Sequence, residues 1–452
     1  MEKKRRLSTS SIIALGYLGI IIVGTLLLML PFATVQDEYA DPFQRIFNAL
    51  FTATSSTCVT GLTIVNTGQY WSLFGQIIIL ILIQIGGLGF LVIIYLIAVA
   101  FKKTITLHER KSLMQAAGST KISGAISFIK KILIFTLTFE LLGSVFISVS
   151  FVPKFGYQKG IYYAIFTSIS AFCNAGFDPL GQANSLVAFQ TDILLNIVIS
   201  ILVISGGLGF IVWSDLFNNK LRWSKLLLHT KIVLITSAIL LIIPAVLFFV
   251  FEMNGTAFAD LNLGEKIMAS FFQSMTCRTA GFATVNQQAL SDPSMALSTV
   301  LMFIGGSSGS TAGGIKTTTF AVLVLSVLST TRKKENIVVG TRQLDANVTK
   351  NASAIFVFYL FLVISASLII LGVEESNTAI HFREVYFEII SAVGTVGLSS
   401  ASTTTFALIS QFILILLMYL GRIGALVIIS IFREKKENTD TLQHPVEKII
   451  VG

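Results

Sequence analysis

The chain has 452 residues, 54% of them hydrophobic and only 12% charged, with a formal net charge of +9. A soluble domain carries about twice that charged fraction, so a water-facing globule is excluded and the surplus apolar surface needs lipid as its solvent. The basic balance does not point to nucleic acid either, because the lysines and arginines are confined to particular connections between apolar runs.

A bilayer core of about 30 Å needs roughly 20 apolar residues of helix. Eight segments qualify: 11–33, 72–101, 127–152, 192–217, 226–251, 295–328, 351–373 and 406–432. The first is long enough to span, and no cleavable signal peptide is read. At alternate connections the basic residues collect, at Lys3 to Arg6, Lys102 to Lys131, Lys220 to Lys231, Arg332 to Lys350 and Arg433 to Lys448, which together hold 24 of the 32 Lys and Arg. The positive-inside bias makes that side cytoplasmic, with both termini on it, in a multi-pass protein of the cell membrane. The opposite side carries six basic residues against thirteen acids, among them Asp37, Asp41, Asp178 and Glu374. Such acids either fill loops as solvated groups or form a vestibule that concentrates cations.

Each of the four outer connections contains a semi-apolar stretch too short to span, at 41–54, 160–170, 264–276 and 382–392. About 12 residues of helix cover about 18 Å, roughly half the membrane. In the first, Asp41 suits an N-cap and Pro42 the first helical position. Each stretch runs into a glycine-bearing loop: Thr57-Cys58-Val59-Thr60-Gly61, Cys173-Asn174-Ala175-Gly176, Arg278-Thr279-Ala280-Gly281 and Gly394-Thr395-Val396-Gly397. The four glycines are 115, 105 and 116 residues apart, and a second glycine cluster follows them at Gly86, Gly206, Gly305 and Gly421. A fixed period with two registered markers is an internal repeat. The predicted fold is an all-α integral membrane protein of four tandem helix–pore-loop–helix repeats, with eight transmembrane helices and four half-helices around a central pore. The repeats are 11–101, 127–217, 226–328 and 351–432, followed by a cytoplasmic tail at 433–452.

Non-helical backbone at membrane depth is tolerated only where it is buried in protein or lines an aqueous cavity. Four re-entrant loops whose carbonyls face one axis can replace the hydration shell of a monovalent cation. Each half-helix turns its partially negative C-terminal end toward that axis. The expected ligands for potassium are the carbonyls of Val59, Asn174, Thr279 and Thr395. Small residues that merely permit close helix packing are the competing explanation, and four loops in register weigh against it.

These residues resemble the Trk/Ktr/HKT superfamily of cation transporters, from about residue 11 to 432, and most of all its short bacterial KtrB branch. The basic segments Thr106-Leu-His-Glu-Arg-Lys111 and Leu228-His-Thr-Lys-Ile-Val233 fit that branch. Glycine at all four positions, 61, 176, 281 and 397, is the pattern the family associates with potassium, whereas serine in the first would suggest sodium. The resemblance implies a homodimer served by a cytosolic ATP- or ADP-binding ring of Rossmann-like subunits. No bound cofactor is expected; potassium is cargo, with sodium as the alternative ion.

Residues 295–328 would make a helix of about 51 Å, far more than a bilayer needs. The middle reads Gly305-Gly306-Ser307-Ser308-Gly309-Ser310-Thr311-Ala312-Gly313-Gly314-Ile315-Lys316 and is rich in poor helix formers. A broken span with a loop at 305–319 is predicted, and the resemblance implies that this loop obstructs the pore and must move. Lys316 lies in it and Arg422 in the matching region of the last repeat. A charge at mid-membrane costs about 2.5–3.5 kcal/mol on insertion scales. Arg422 is therefore expected to hydrogen-bond the loop and hold it closed, whereas Lys316 is expected to snorkel to the interface. Glu140, in the third span, is expected to serve helix packing.

Two tempting motifs are declined. Gly309 to Thr317 resembles a phosphate loop, but Ile315 intrudes before Lys316 and no strand precedes it. Gly306-Ser307-Ser308-Gly309 matches an intramembrane serine-protease motif, but the histidines, His108, His229, His381 and His444, all fall at loops or ends, so no base is at hand. The chain is expected not to be an enzyme. Cys58, Cys173 and Cys277 lie within the filter loops and are read as small neutral side chains behind the ion path. Sodium-preferring transport on the same scaffold and, remotely, an intramembrane hydrolase are the alternatives to potassium uptake.

Overall fold

A computed structural model describes residues 8–35, 41–89, 92, 125–180, 185–334, 336–340, 342–377, 380–401 and 403–432. The basic segments at 3–6, 102–121 and 433–448 lie outside the described residues, as do Asp37, Glu38, His108 and His444. The regular elements among the described residues are helices, apart from one short antiparallel pair, Val338–Val339 with Arg342–Gln343, and two isolated bridges, Thr34 with Trp71 and Ile304 with Ile315.

Four helices are long and apolar enough to cross a membrane among the described residues: α1 (Thr9–Leu28), α4 (Ala125–Phe155), α8 (Leu228–Glu252) and α12 (Ala346–Val373). Each is followed by a shorter helix that enters the protein interior: α2 (Pro42–Cys58), α5 (Tyr157–Phe172), α9 (Leu263–Thr276) and α13 (Phe382–Gly394). Side chains cap the entry ends of α2 and α9. Asp41 accepts from the Phe43 backbone at 3.0 Å. Asn262 and Glu265 form a reciprocal box, at 3.0 and 2.8 Å.

The helices that return across the protein are shorter than the apolar runs that predict them. α3 (Leu73–Leu88) stops at Gly89. α6 (Ile193–Leu208) and α7 (Phe210–Asn218) meet at 93°, and α14 (Leu408–Ile423) and the last helix, α15 (Ala425–Phe432), meet at 92°. At these breaks Gly89, Gly209 and Gly424 have φ of 85°, 96° and 88°, a region that side chains disfavour. Counting each bent pair as one span gives six candidate spans among the described residues. The third return is α10 (Asp292–Phe303), interrupted until α11 (Thr317–Thr331) resumes.

Buried acids fasten the returning helices. Glu252, at the end of α8, accepts from the Ser291 backbone at 2.8 Å and its hydroxyl at 2.6 Å, just before α10 begins. Glu374, after α12, accepts from the Ala407 backbone at 2.7 Å, the residue before α14. Both place a carboxylate at the electropositive end of a helix. The two ends of the chain also meet: α15 packs on α1, and the Tyr419 hydroxyl donates to the Ala14 carbonyl at 2.8 Å.

Candidate functional site: a ring of four glycines and the loop beneath it

The inner ends of α2, α5, α9 and α13 are buried, and each passes into a left-handed residue: Val59 (φ 57°), Asn174 (59°), Thr279 (66°) and Thr395 (51°). Asparagine tolerates this region, but β-branched valine and threonine are outliers there. At three of the loops the turn closes in one way. The N–H of Thr60, Ala175 and Val396 reaches back to the carbonyl of Ser55, Ser170 and Ser391, each at 2.8 Å. The N–H of Val59, Asn174 and Thr395 bonds Ser56, Ala171 and Ala392, each at 3.1 Å. This is the double bond pattern of a Schellman cap, which usually takes glycine at the left-handed position. The third loop differs, with Ala280 bonding Thr276 at 3.0 Å.

Two residues on, Gly61, Gly176, Gly281 and Gly397 again have positive φ, of 97°, 70°, 77° and 91°. Alternation in the sign of φ turns successive peptide units the same way, so consecutive carbonyls share one side. The glycines themselves form a closed ring. A Cβ built on Gly61 would lie 3.2 Å from the Gly176 Cα, one on Gly176 2.7 Å from Gly281, one on Gly281 3.4 Å from Gly397, and one on Gly397 2.9 Å from Gly61. The carbonyls of Ala175, Ala280, Val396 and Thr60 face these same positions. No side chain fits there, and the ring is built of backbone.

The residues expected around the ring divide into three groups. Thr60, Ala175, Ala280 and Val396 supply carbonyls at it, a role the sequence reading gave only to their neighbours Val59, Asn174, Thr279 and Thr395. Thr57 and Cys58 form the last turn of α2, Cys173 caps α5, and Gly394 ends α13, all behind the ring. Arg278 points away: its guanidinium donates to the Ser237 carbonyl and hydroxyl on α8, both at 3.3 Å. All three cysteines are buried and unpaired.

On one side of the ring lies a cavity of about 490 Å³, lined by the segments that follow all four glycines and including Asp178. Asp178 accepts from the Leu180 backbone at 3.1 Å, and burial pushes its carboxyl up to about 6. On the other side lies the segment between α10 and α11. Ser307 and Thr311 donate their N–H groups to the Gly207 and Gly206 carbonyls at 3.0 and 3.3 Å, and Gly309 accepts from Phe210 at 2.9 Å. The Thr311 hydroxyl donates to Asn174 Oδ1 at 2.9 Å. Gly313 rests on the Thr395 side chain and Gly314 on the Gly394 backbone. Arg422 completes the enclosure, donating through one nitrogen to the Thr311 carbonyl and through the other to the Gly86 carbonyl.

Lys316 does not reach outward as expected. Its ammonium donates back to the Ala312 and Gly313 carbonyls, at 2.5 and 3.3 Å, and so satisfies loop carbonyls that no helix serves. Glu140 accepts from Gln84 at 3.3 Å and joins α4 to α3.

The chain matches the model of the TrkH family, described as cation transport proteins, over residues 20–443. It belongs to that family. Potassium/sodium uptake protein NtpJ of Enterococcus hirae is 38% identical, over 99% of this chain and 98% of the relative. Ktr system potassium uptake protein B of Bacillus subtilis is 35% identical, over 99% and 97%. The crystal structure of the potassium transporter TrkH from Vibrio parahaemolyticus superposes with a TM-score of 0.72 at 17% identity, covering 96% of this chain and 87% of that one. This TrkH family member is thus a multi-pass membrane protein for cation uptake, and its relatives are transporters rather than enzymes.

Proposed function

We propose that the chain is the ion-translocating subunit of a potassium uptake system, and that the glycine ring is its selectivity filter. The closed ring of Gly61, Gly176, Gly281 and Gly397 is the observation that carries this reading. In it, four helix–pore-loop–helix repeats surround one axis, with repeat boundaries near 11–101, 127–217, 226–328 and 351–432. Backbone carbonyls from Val59 to Thr60, Asn174 to Ala175, Thr279 to Ala280 and Thr395 to Val396 replace water around the ion. The cavity beyond the ring is the outer vestibule, and the termini are cytoplasmic, by the distribution of lysine and arginine. The membrane potential drives entry, at about 2.3 kcal/mol per charge per 100 mV.

The segment 305–316 is the gate in this reading. Its bonds to Gly206, Gly207 and Asn174, and the Arg422 bridge to Gly86, hold it across the path below the ring. Arg422 also places a positive charge where a cation must pass. The resemblance to the Ktr branch implies assembly as a homodimer with a cytosolic nucleotide-binding subunit, which would bear on the basic inner segments.

The reconstituted protein should take up rubidium, as a potassium surrogate, well ahead of sodium when each is offered to proteoliposomes under an inside-negative potential. Equal entry of the two ions would replace this reading with a sodium-conducting one, which the potassium/sodium name of the Enterococcus relative favours. Retention of a soluble subunit on copurification, with release or tightening on ATP versus ADP, tests the regulatory partner.

A further inference from the structure

Glu388 sits in the middle of α13, and its side chain has no solvent exposure. Among the described residues no lysine or arginine forms an ion pair with it. Its carboxyl instead grips the chain just beyond the ring. One oxygen is hydrogen-bonded to the Ser399 hydroxyl, which also lies on the Ala401 carbonyl, and the other accepts from the Thr403 hydroxyl at 3.3 Å, while the backbone amides of Ser400 and Ala401 face the same group. Ser399, Ser400, Ala401 and Thr403 all line the vestibule cavity, and Gly397 of the ring is two residues from Ser399.

Among the described residues only the fourth loop is held by a carboxyl from its half-helix; the third is tied by neutral side chains, Thr276 donating to the Phe282 carbonyl at 2.6 Å and Gln273 to Gln287 at 2.8 Å. Counted back from each ring glycine by the same nine positions, the other half-helices have Thr52, Thr167 and Phe272. A buried, unpaired carboxyl is costly to retain unless its oxygens are satisfied, and here donors from a single stretch of loop surround it.

We propose that Glu388 is a positioning residue for the fourth ring segment, and that it sets how sharply the ring separates potassium from sodium. The inference rests on the ring being the selectivity filter. A carbonyl cage discriminates between cations through the number and placement of its oxygens. A wall free to close around a smaller ion loses that discrimination. Glu388 ties the stretch after Gly397 to the half-helix before it, so the fourth wall cannot follow the smaller ion. Glutamine fits the same space but offers one acceptor oxygen, and its amide nitrogen cannot accept from the Ser400 and Ala401 backbone N–H groups.

The test is the ratio of rubidium to sodium uptake in proteoliposomes, measured with the melting temperature of the purified protein. Glu388→Gln should lower the ratio by about fivefold, the effect of roughly one net hydrogen bond, through faster sodium entry. Removing the donors instead, with Ser399→Ala and Thr403→Val together, should move the ratio in the same direction. An unchanged ratio in a folded Glu388→Gln protein overturns the proposal. If that variant does not fold, an unchanged ratio in the Ser399 and Thr403 double variant overturns it instead. Gly397→Ser distinguishes loss of the positioning role from loss of the filter. If it alters the ratio while the Glu388 and donor variants do not, only the positioning role fails. If none of them alters it, the ring is not the filter.

Discussion

At the ring the four loops are close to interchangeable: each has a left-handed residue, then a carbonyl, then a left-handed glycine, and each glycine meets the next. One layer below they are not. There Gly86, Gly206 and Gly421 press their backbones against their own loops and Gly305 presses on the Gly313 carbonyl, but the next residues are Gly87, Gly207, Gly306 and Arg422, and among the described residues only the third segment leaves its helix to cross the others. Chemistry that must act on a spherical ion is served by four similar backbones. Control would need a part that differs from its neighbours, and the lower layer has one unwound segment and one arginine that bridges it to Gly86.

The largest effect is expected from closing the ring. In Gly281→Ala the new Cβ would lie 2.6 Å from the Val396 carbonyl oxygen and 2.8 Å from the Gly176 Cα, at a φ of 77°. No rotamer relieves a Cβ clash with backbone, and the left-handed conformation adds about 1–2 kcal/mol. Rubidium uptake at limiting concentration should fall tenfold to a hundredfold, or about 1.4–2.8 kcal/mol. Uptake within twofold of wild type would show that the ring does not contact the ion.

The lower layer should respond with the opposite sign. Arg422→Ala removes both donors that join the Thr311 and Gly86 carbonyls, together with a positive charge from the path. If the segment is the gate, flux should rise about tenfold at equal protein density, the scale of one charge-assisted bond of about 1.5 kcal/mol lost from the closed arrangement. Thr311→Val removes only the hydroxyl's contacts with Asn174 and the Phe172 carbonyl and should raise flux by less, about fivefold at most for about 1 kcal/mol. A fall in flux for both, with normal folding, would make the segment a structural brace rather than a gate.

The contrast between the layers also explains what could be read from the sequence. Glycine spacing marks both layers because backbone contact leaves no substitute for glycine: Gly61 and Gly86 are needed for the same steric reason at two heights. Apolar length marks the long helices but overstates the returning ones, since hydropathy counts Gly209 and Gly424 as part of a run that the chain bends through at right angles. Left-handed Val59, Thr279 and Thr395 are not legible at all, because local preference argues against them and only the packed ring over-determines them. The same holds for Lys316. Its sequence position suggests the interface, whereas the unwound loop beside it exposes carbonyls that outcompete solvent for its ammonium.

The smallest expected effect comes from the vestibule, which lies above both layers and should sense pH without touching either. Asp178 is an acid whose folded value, about 6, lies above its ordinary 3.8, because burial disfavours the charged form. It is therefore ionised at pH 7.5 and largely neutral at pH 5. Over that interval the vestibule loses one negative charge, and cation entry at low ionic strength should fall by about twofold, the scale of a screened focusing effect. The stability contribution runs the other way. The carboxylate costs folding free energy above pH 6, and that cost is relieved as pH falls from 6 toward 3.8, so this group makes the protein slightly more resistant to unfolding at the lower pH. Asp178→Asn should lower uptake at pH 7.5 to near the acidic level and flatten this part of the profile, while leaving the rubidium to sodium ratio alone. A change in that ratio would mean that Asp178 acts on the ring itself and not only on the concentration of ions that reach it.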